Sequence, residues 1–313
     1  MSPRAASRDL HRPDAAAPRI LVTGADGQLG RSLRALADQR PGEARHTFLN
    51  RAQLDITRAR DVAAWLDAHP VDSLINAAAY TAVDRAAAEP DLSRAINADA
   101  PGLLAHACAA RGIRLLHVST DYVFDGRLDR PYRESDPTAP LNTYGRGKLE
   151  GERAVLDADA RAVVVRTGWV FSAWGGNFVR TMVRLGAQRD TLRVIDDQIG
   201  GPTWAGHLAR VLHALAQRPA GDAPGGLYHF GGQPWISWHG FALEILGRAH
   251  ARGLIAHLPR VEAIASADWP SPEPRPANGR LDCARLEALL GPLERDWRIG
   301  LDQVLESWKT EGS

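Results

Sequence analysis

The chain alternates short apolar runs with longer stretches in which apolar side chains recur every three or four positions. Arg19–Thr23 (RILVT) reads as a buried strand that feeds a helical pattern over Gly30–Asp38. His46–Leu49 is a second strand, Ala59–Ala68 a helix and Ser73–Asn76 (SLIN) a third strand. A helical pattern over Leu92–Arg111 leads to a fourth strand, Arg114–Ser119 (RLLHVS). A helix from Tyr144 to about Leu156 then precedes a fifth strand, Ala162–Arg166 (AVVVR). Strands alternating with helices indicate βαβ units and a parallel sheet. Right-handed crossovers turn that order into a doubly wound α/β fold of Rossmann type.

After Arg166 the rhythm changes. Glycine, proline and tryptophan concentrate in Gly200-Gly201-Pro202, Gly225-Gly226 and Trp269–Pro276, while helical patterns recur at Asn177–Leu185, Ala205–Ala216 and Trp238–Arg252. Trp297 and Trp308 suit the packing of a C-terminal helix, and Trp235 and Trp238 bracket a turn where either suits the core. The expected organisation is a disordered leader over residues 1–18, a mainly nucleotide-binding Rossmann domain over 19–168, and a mainly substrate-binding lobe over 169–313. That smaller lobe is interleaved with late elements of the sheet.

Composition narrows the function. Among 313 residues the formal net charge is +1 and the basic residues are spread out, so no field recruits nucleic acid or an acidic membrane. Residues 1–18 contain no apolar core of a secretory signal, and no segment reaches the roughly 18 apolar residues of a membrane span. Cys108 and Cys283 stand far apart without metal-type spacing, which fits a reducing, cytoplasmic setting. The histidines, including His207, His229 and His239, show no paired metal spacing and suit surface or supporting roles; no metal site is expected.

Candidate chemistry gathers where each strand ends. Gly24, Gly27 and Gly30 form G-x-x-G-x-x-G between the first strand and its helix, with Gln28 and Leu29 inside the motif. Such glycines let backbone approach a pyrophosphate, and free N–H groups at the helix start attract its charge. The second strand ends in Phe48-Leu49-Asn50-Arg51, with no acid to take a ribose 2′-hydroxyl, and Arg51 suits a 2′-phosphate. NADPH is therefore expected, with NADH open. In Leu54-Asp55-Ile56 the acid either meets an adenine edge or, like Thr57, caps the next helix. The small residues of Asn76-Ala77-Ala78-Ala79-Tyr80 let a cofactor lie against backbone, unless the segment is a plain turn.

Ser119-Thr120-Asp121-Tyr122 follows the fourth strand, at the edge where doubly wound sheets bind ligands. Tyr144 and Lys148 lie four residues apart and share one helix face. An ammonium there stabilises a phenolate, so the phenol exchanges protons near neutrality, and Thr120 polarises the same carbonyl. Hydride transfer to a ketone is the chemistry that this set suits.

The segments GxxGxLG, LDIT, INAAAYTAVD, VSTDYVFDG, PLNTYGxxK, RTGWVF, NFVRTM, DDQIGGPT, YHFGG and RPANGRLD resemble the extended short-chain dehydrogenase/reductases. Within these the resemblance is to the dTDP-4-dehydrorhamnose reductases and runs from about residue 19 to Trp297. It implies reduction of the C4 ketone of dTDP-4-dehydro-L-rhamnose. Position by position it implies Gly27, Gln28 and Leu29 at the pyrophosphate, Asp55 and Ile56 at the adenine, and Ala78, Ala79, Tyr80, Thr81 and Val118 along the rest of the cofactor. Thr120, Tyr144 and Lys148 match the catalytic trio. Thr120, Asp121, Tyr122 and Trp169 match the substrate side, with Arg275 and Asn278 near its nucleotide end. Some relatives dimerise through a divalent metal held by glutamates, where this chain has Ser32, Gly206 and Ser307. None of these replaces a carboxylate ligand, so a monomer or weak homodimer is expected. Gly168 stands where relatives commonly carry serine, which should loosen the loop presenting Trp169. Another sugar-nucleotide ketoreductase or epimerase, and a non-catalytic NADP-binding regulatory subunit, stay open as alternatives.

Overall fold

The computed structural model describes residues 17–218 and 224–311, so most of the expected leader lies outside the described residues. Six strands form the central sheet: β1 (Arg19–Thr23), β2 (Arg45–Leu49), β3 (Ser73–Asn76), β4 (Arg114–Thr120), β5 (Val163–Thr167) and β6 (Gly226–His229). All are parallel, in the spatial order β6-β5-β4-β3-β1-β2. The chain winds outward from β1 to β2 and then from β3 to β6, so the order reverses between β1 and β3. A crevice opens there at the carboxyl ends of the strands.

The principal helices are α1 (Gln28–Gln39), α2 (Ala59–Ala68), α3 (Ala100–Ala109), α4 (Thr143–Ala158), α5 (Phe178–Gly186), α6 (Ala205–Gln217), α7 (Trp238–Ala251) and α8 (Trp297–Glu311). Successive strand residues point to opposite faces, and each face has its own core. Ile20 and Val22 pack with Leu29, Leu33, Leu208 and Leu212 under α1 and α6. Leu21 faces the other way, onto Leu66, Leu104 and Val155 of α2, α3 and α4. Each such fully buried aliphatic side chain contributes about 1.5–3 kcal/mol.

One expected helix is interrupted. Leu92–Arg111 is not continuous: Pro90–Arg94 is helical, Ala95–Asp99 is a wider π turn, and α3 begins at Ala100. Pro101 has no N–H to give the Asn97 carbonyl, so the regular ladder cannot pass this point. Gly151 of α4 closes against that same carbonyl, leaving no room for a side chain between the two helices.

The later chain serves both parts of the molecule. α6 and β6 return to the sheet, whereas α5, α7 and α8 enclose a separate apolar cluster of Phe171, Val179, Met182, Phe241, Ile245 and Leu301. Trp297 and Trp308 anchor α8 by giving their indole N–H groups to the carbonyls of Pro234 and Ala173. Thr191–Ile195 pairs in parallel with Arg260–Ile264, and Ile199–Gly200 lies between Ile236–Ser237 and Asn278–Gly279. These short strands face the carboxyl edge of the main sheet through Trp169 and the loop over residues 269–275.

Candidate active site

The glycine-rich turn is held open by sterics. Gly24 has φ +72°, and a Cβ there would lie 2.6 Å from the Ala78 nitrogen. β1 and the turn after β3 can approach this closely only with glycine at that position. Gly27 begins α1 with no side-chain cap and no acid in the first turn. The first-turn amides therefore face the crevice without a competing carboxylate, as a dinucleotide pyrophosphate requires. Gln28, expected at the pyrophosphate, turns its side chain away from the turn. Its side-chain carbonyl lies 3.1 Å from Ser172 Oγ and 3.0 Å from Asn177 Nδ2, tying the turn to the start of α5.

At the end of β2, Arg51 is exposed and 3.8 Å from Asp55. Asp55 Oδ1 accepts from Thr57 N and Oγ1 at 3.1 and 2.7 Å. Helix α2 starts after Arg58 without a side-chain cap, so Asp55 shapes the preceding turn and does not cap the helix. Ile56 is buried beside it. On the third loop, the Tyr80 backbone is clasped by Asn97, which accepts from its N–H and donates to its carbonyl, each at 2.9 Å. Asn97 is a site residue that helical periodicity hid. The signal available in the sequence was Pro101 four residues later. Ala78, Ala79 and Thr81 complete this loop, and the Ala78 N–H donates to Asn76 Oδ1.

The carboxyl end of β4 brings the reactive candidates together. Thr120 Oγ1 accepts from the Tyr122 N–H, lies 3.1 Å from Asp121 Oδ1 and sits beside the Tyr144 phenol, close enough to act on its pKa. Tyr122 meets Tyr144 edge-on, with ring centroids 5.8 Å apart. Helix α4 is positioned by Asn142, whose side chain caps Gly145 N at 2.7 Å and also donates to the Pro274 carbonyl. Glu273 accepts from Thr143 N, so the helix start and the loop over residues 271–275 are one unit.

Electrostatics depart from expectation at two points. Burial pushes the Tyr144 phenol above its ordinary value, with the Thr120 hydrogen bond pulling the other way. Lys148 does not rest on the phenol. Its Nζ lies 2.7 Å from the Val118 carbonyl and 3.1 Å from His117 Nε2, and burial draws its pKa down to about 8 against Glu152. Asp121 is pushed up to about 7 by burial, and its Oδ2 has no hydrogen-bond partner. Gly168 leaves the room this carboxylate occupies, because a Cβ there would sit 2.5 Å from the same oxygen.

Trp169 adopts φ +52°, a conformation costly for an aromatic residue and concentrated at functional sites. Its indole stacks on Trp238 at 3.4 Å and 6°, and Gly200 leaves just enough space for the ring. Trp238, expected to suit the core, packs against the apolar cluster of the smaller lobe and also faces open space. It lines a cleft of about 620 Å³ with Phe178, Arg189, Arg193, Trp269 and Arg275. Arg275 reaches Asp84 at 2.8 Å and lies near enough to the Tyr122 phenol to lower its pKa against the effect of burial. Asn278 does not reach this cleft. Both its N–H groups go to the carbonyls of Leu128 and Arg130, and its oxygen takes the Arg280 N–H groups.

The three positions expected to correspond to a metal site do converge. Ser32, Gly206 and Ser307 line one cavity of about 190 Å³ with Trp174, Trp204 and Arg210, and no carboxylate is among its lining residues. Among the described residues no cluster of three or more His, Cys, Asp and Glu suits a metal. His207 and His229 are buried, not at the surface, and burial holds them at about 4 and about 3.

A parallel doubly wound sheet with a bare helix start, a hydroxyl, a phenol and an amine along one edge defines a Rossmann-type NAD(P)-dependent oxidoreductase. A family model described as the RmlD substrate binding domain matches residues 18–310, and the chain belongs to that family. It is 45% identical over 289 residues to a dTDP-4-dehydrorhamnose reductase of Streptomyces griseus, covering 91% of this chain and 92% of the relative. A solved dTDP-4-dehydrorhamnose reductase of Clostridium acetobutylicum superposes with a TM-score of 0.86 at 34% identity, over 93% of this chain and 99% of that one. A second, from Bacillus anthracis in complex with NADP, gives a TM-score of 0.84 at 32% identity over the same shares.

Proposed function

We propose that this chain reduces the C4 ketone of dTDP-4-dehydro-L-rhamnose to dTDP-L-rhamnose with NADPH as reductant. The observation that carries the reading is the meeting of Thr120 and Tyr144 at the end of β4. They lie between an uncapped helix start and a cleft lined with aromatic and Arg side chains.

The turn over Gly24, Gly27, Gln28, Leu29 and Gly30 would hold the pyrophosphate through backbone N–H groups, with Asp55 and Ile56 beside the adenine. Arg51, exposed and held only by a 3.8 Å ion pair, is free to turn to a 2′-phosphate. Ala78, Ala79, Tyr80, Thr81 and Val118 line the way to the reactive edge. Bound there, the nicotinamide supplies the hydride that the ketone carbon receives.

Thr120 and Tyr144 donate hydrogen bonds to the ketone oxygen, and Tyr144 delivers a proton as that oxygen becomes an alkoxide. Burial keeps the phenol protonated until then, and Lys148 in its charged form stabilises the phenolate left behind. Trp169 and Asp121 bound the sugar, while Arg275 and the cleft against Trp238 receive the nucleotide end. Residues 19–168 then act mainly as cofactor domain and 169–313 mainly as substrate lobe, with α6 and β6 lent back to the sheet. Hydroxyls and a glycine at positions 32, 206 and 307 favour a monomer or weak dimer without a bridging metal. Two free cysteines fit a cytoplasmic setting.

The test is NADPH consumption with dTDP-4-dehydro-L-rhamnose generated in place, with NADH in parallel. Tyr144→Phe should lower turnover by roughly a hundredfold or more with NADPH binding retained, since one donor to the forming oxyanion is commonly worth about 3 kcal/mol. Wild-type-like turnover in that variant would remove Tyr144 from the reaction. No oxidation with either cofactor, despite binding, would point to a different sugar nucleotide or a regulatory role.

A further inference from the structure

Thr23, Asn76 and His117 are neighbours in register on β1, β3 and β4, and their side chains form one buried row that ends on Lys148. Thr23 Oγ1 lies 2.8 Å from Asn76 Oδ1, Asn76 Nδ2 lies 3.1 Å from His117 Nδ1, and His117 Nε2 lies 3.1 Å from Lys148 Nζ.

The direction of this row is fixed at Asn76. The backbone N–H of Ala78 can only donate, so the amide atom it meets at 3.2 Å is the oxygen. The amide nitrogen must then face His117, and it too can only donate. His117 Nδ1 is therefore an acceptor, and the single proton of the neutral ring sits on Nε2. Burial and the nearby Lys148 both keep that ring uncharged. The Nε2–H points at Lys148 Nζ, which already donates to the Val118 carbonyl at 2.7 Å. An uncharged amine offers a lone pair to that N–H. An ammonium would place N–H against N–H in surroundings from which water is excluded.

We propose that His117 is a positioning residue for Lys148: fixed by Asn76 with its proton on Nε2, it donates to the lysine amine and favours the uncharged form in the free protein. The charged group that acts on the amine is Glu152 on its own helix, which in turn is paired with Arg166 of β5. Arg166 is neutralised by a bidentate pair with Glu152 at 2.8 and 2.6 Å, and Glu152 in turn favours charge on Lys148. His117 and Glu152 thus pull in opposite directions, and their balance sets the pH at which Lys148 takes a proton from solvent. The consequence for turnover rests on the reading of Lys148 as the partner of Tyr144. Activity falls on the basic side as the amine loses its proton, and His117 fixes where.

The first experiment needs neither substrate nor cofactor, so it stays readable even if no reductase activity is found. Long-range proton–nitrogen correlation spectra of protein carrying isotope-labelled histidine report the tautomer of each ring, and the His117 signal is the one lost in His117→Met. We expect the Nε2–H form across the neutral range; the Nδ1–H form or the cation at neutral pH would overturn the proposal. The second experiment is the pH profile of kcat/KM. Methionine fills similar space but cannot donate, so His117→Met should move the basic limb up by about one pH unit. An unmoved or lowered limb in a folded variant would also overturn it. If His117→Met does not fold, Asn76→Asp replaces the donor facing Nδ1 with an acceptor. It should move the ring proton to Nδ1 and raise the limb; retention of the Nε2–H form there would count against the proposal.

Discussion

Two polar regions meet at the reactive edge, and they are built in opposite ways. Beneath the edge runs the dry row from Thr23 to Lys148, followed by the Glu152–Arg166 pair, with all of these side chains buried and the order of donors fixed. Beyond the edge lies the cleft of about 620 Å³, whose aromatic and Arg side chains come from several separate elements. Removing a group from the row strands a partner where no water can replace it; removing one from the cleft leaves a place that water fills. The row therefore governs whether Tyr144 and Lys148 stay in position, and the cleft governs what is presented to them.

The sharpest way to break that contrast is Glu152→Ala, which leaves Arg166 charged and uncompensated under β5. Loss of one partner of a buried pair costs about 3–5 kcal/mol, so thermal or urea unfolding should shift strongly whether or not ligand is present. A small shift would mean that water reaches this layer.

A second test uses pH. The Asp121 carboxyl rises from 3.8 to about 7 on folding, so between these values the folded chain binds more protons than the unfolded one. Stability should therefore decline as pH rises through that window, by about 2–4 kcal/mol in total. Asp121→Asn should flatten the decline, which melting curves across the window would reveal.

The smallest expected effect belongs to the cleft. Trp238→Ala removes the ring stacked on Trp169 and should raise KM for the sugar nucleotide by about tenfold, with NADPH affinity little changed. An equal loss of NADPH affinity would show that the two regions are one functional unit.

Most of the sheet was legible because its strands are short apolar runs between helical patterns, and β1 and β3 fall where the runs of RILVT and SLIN predict. Strand β6 was not, since GLYH carries a glycine and little apolar character, and it is specified by pairing with β5. The candidate edge residues were legible wherever a motif ties chemistry to local spacing, as in Gly24–Gly30 and Tyr144–Lys148. Asn97, Asn142, His117 and Trp238 were not, because their roles arise from neighbours distant in sequence. The partners of Asn278 were hidden for the same reason: its amide holds the carbonyls of Leu128 and Arg130, far upstream.

The indole of Trp204 is wedged where Cβ atoms at Gly206 and Gly300 would intrude, at 2.5 Å in the case of Gly206. Any side chain at position 206 thus meets the Trp204 ring before coordination chemistry matters, and the hydroxyls of Ser32 and Ser307 bring no negative charge to a cation. Acquiring a cation-bridged assembly would require the ring to be rehoused first, a step with no ligand yet in place to reward it. In mutational terms this corner is closed to gradual enlargement at position 206 until the ring moves.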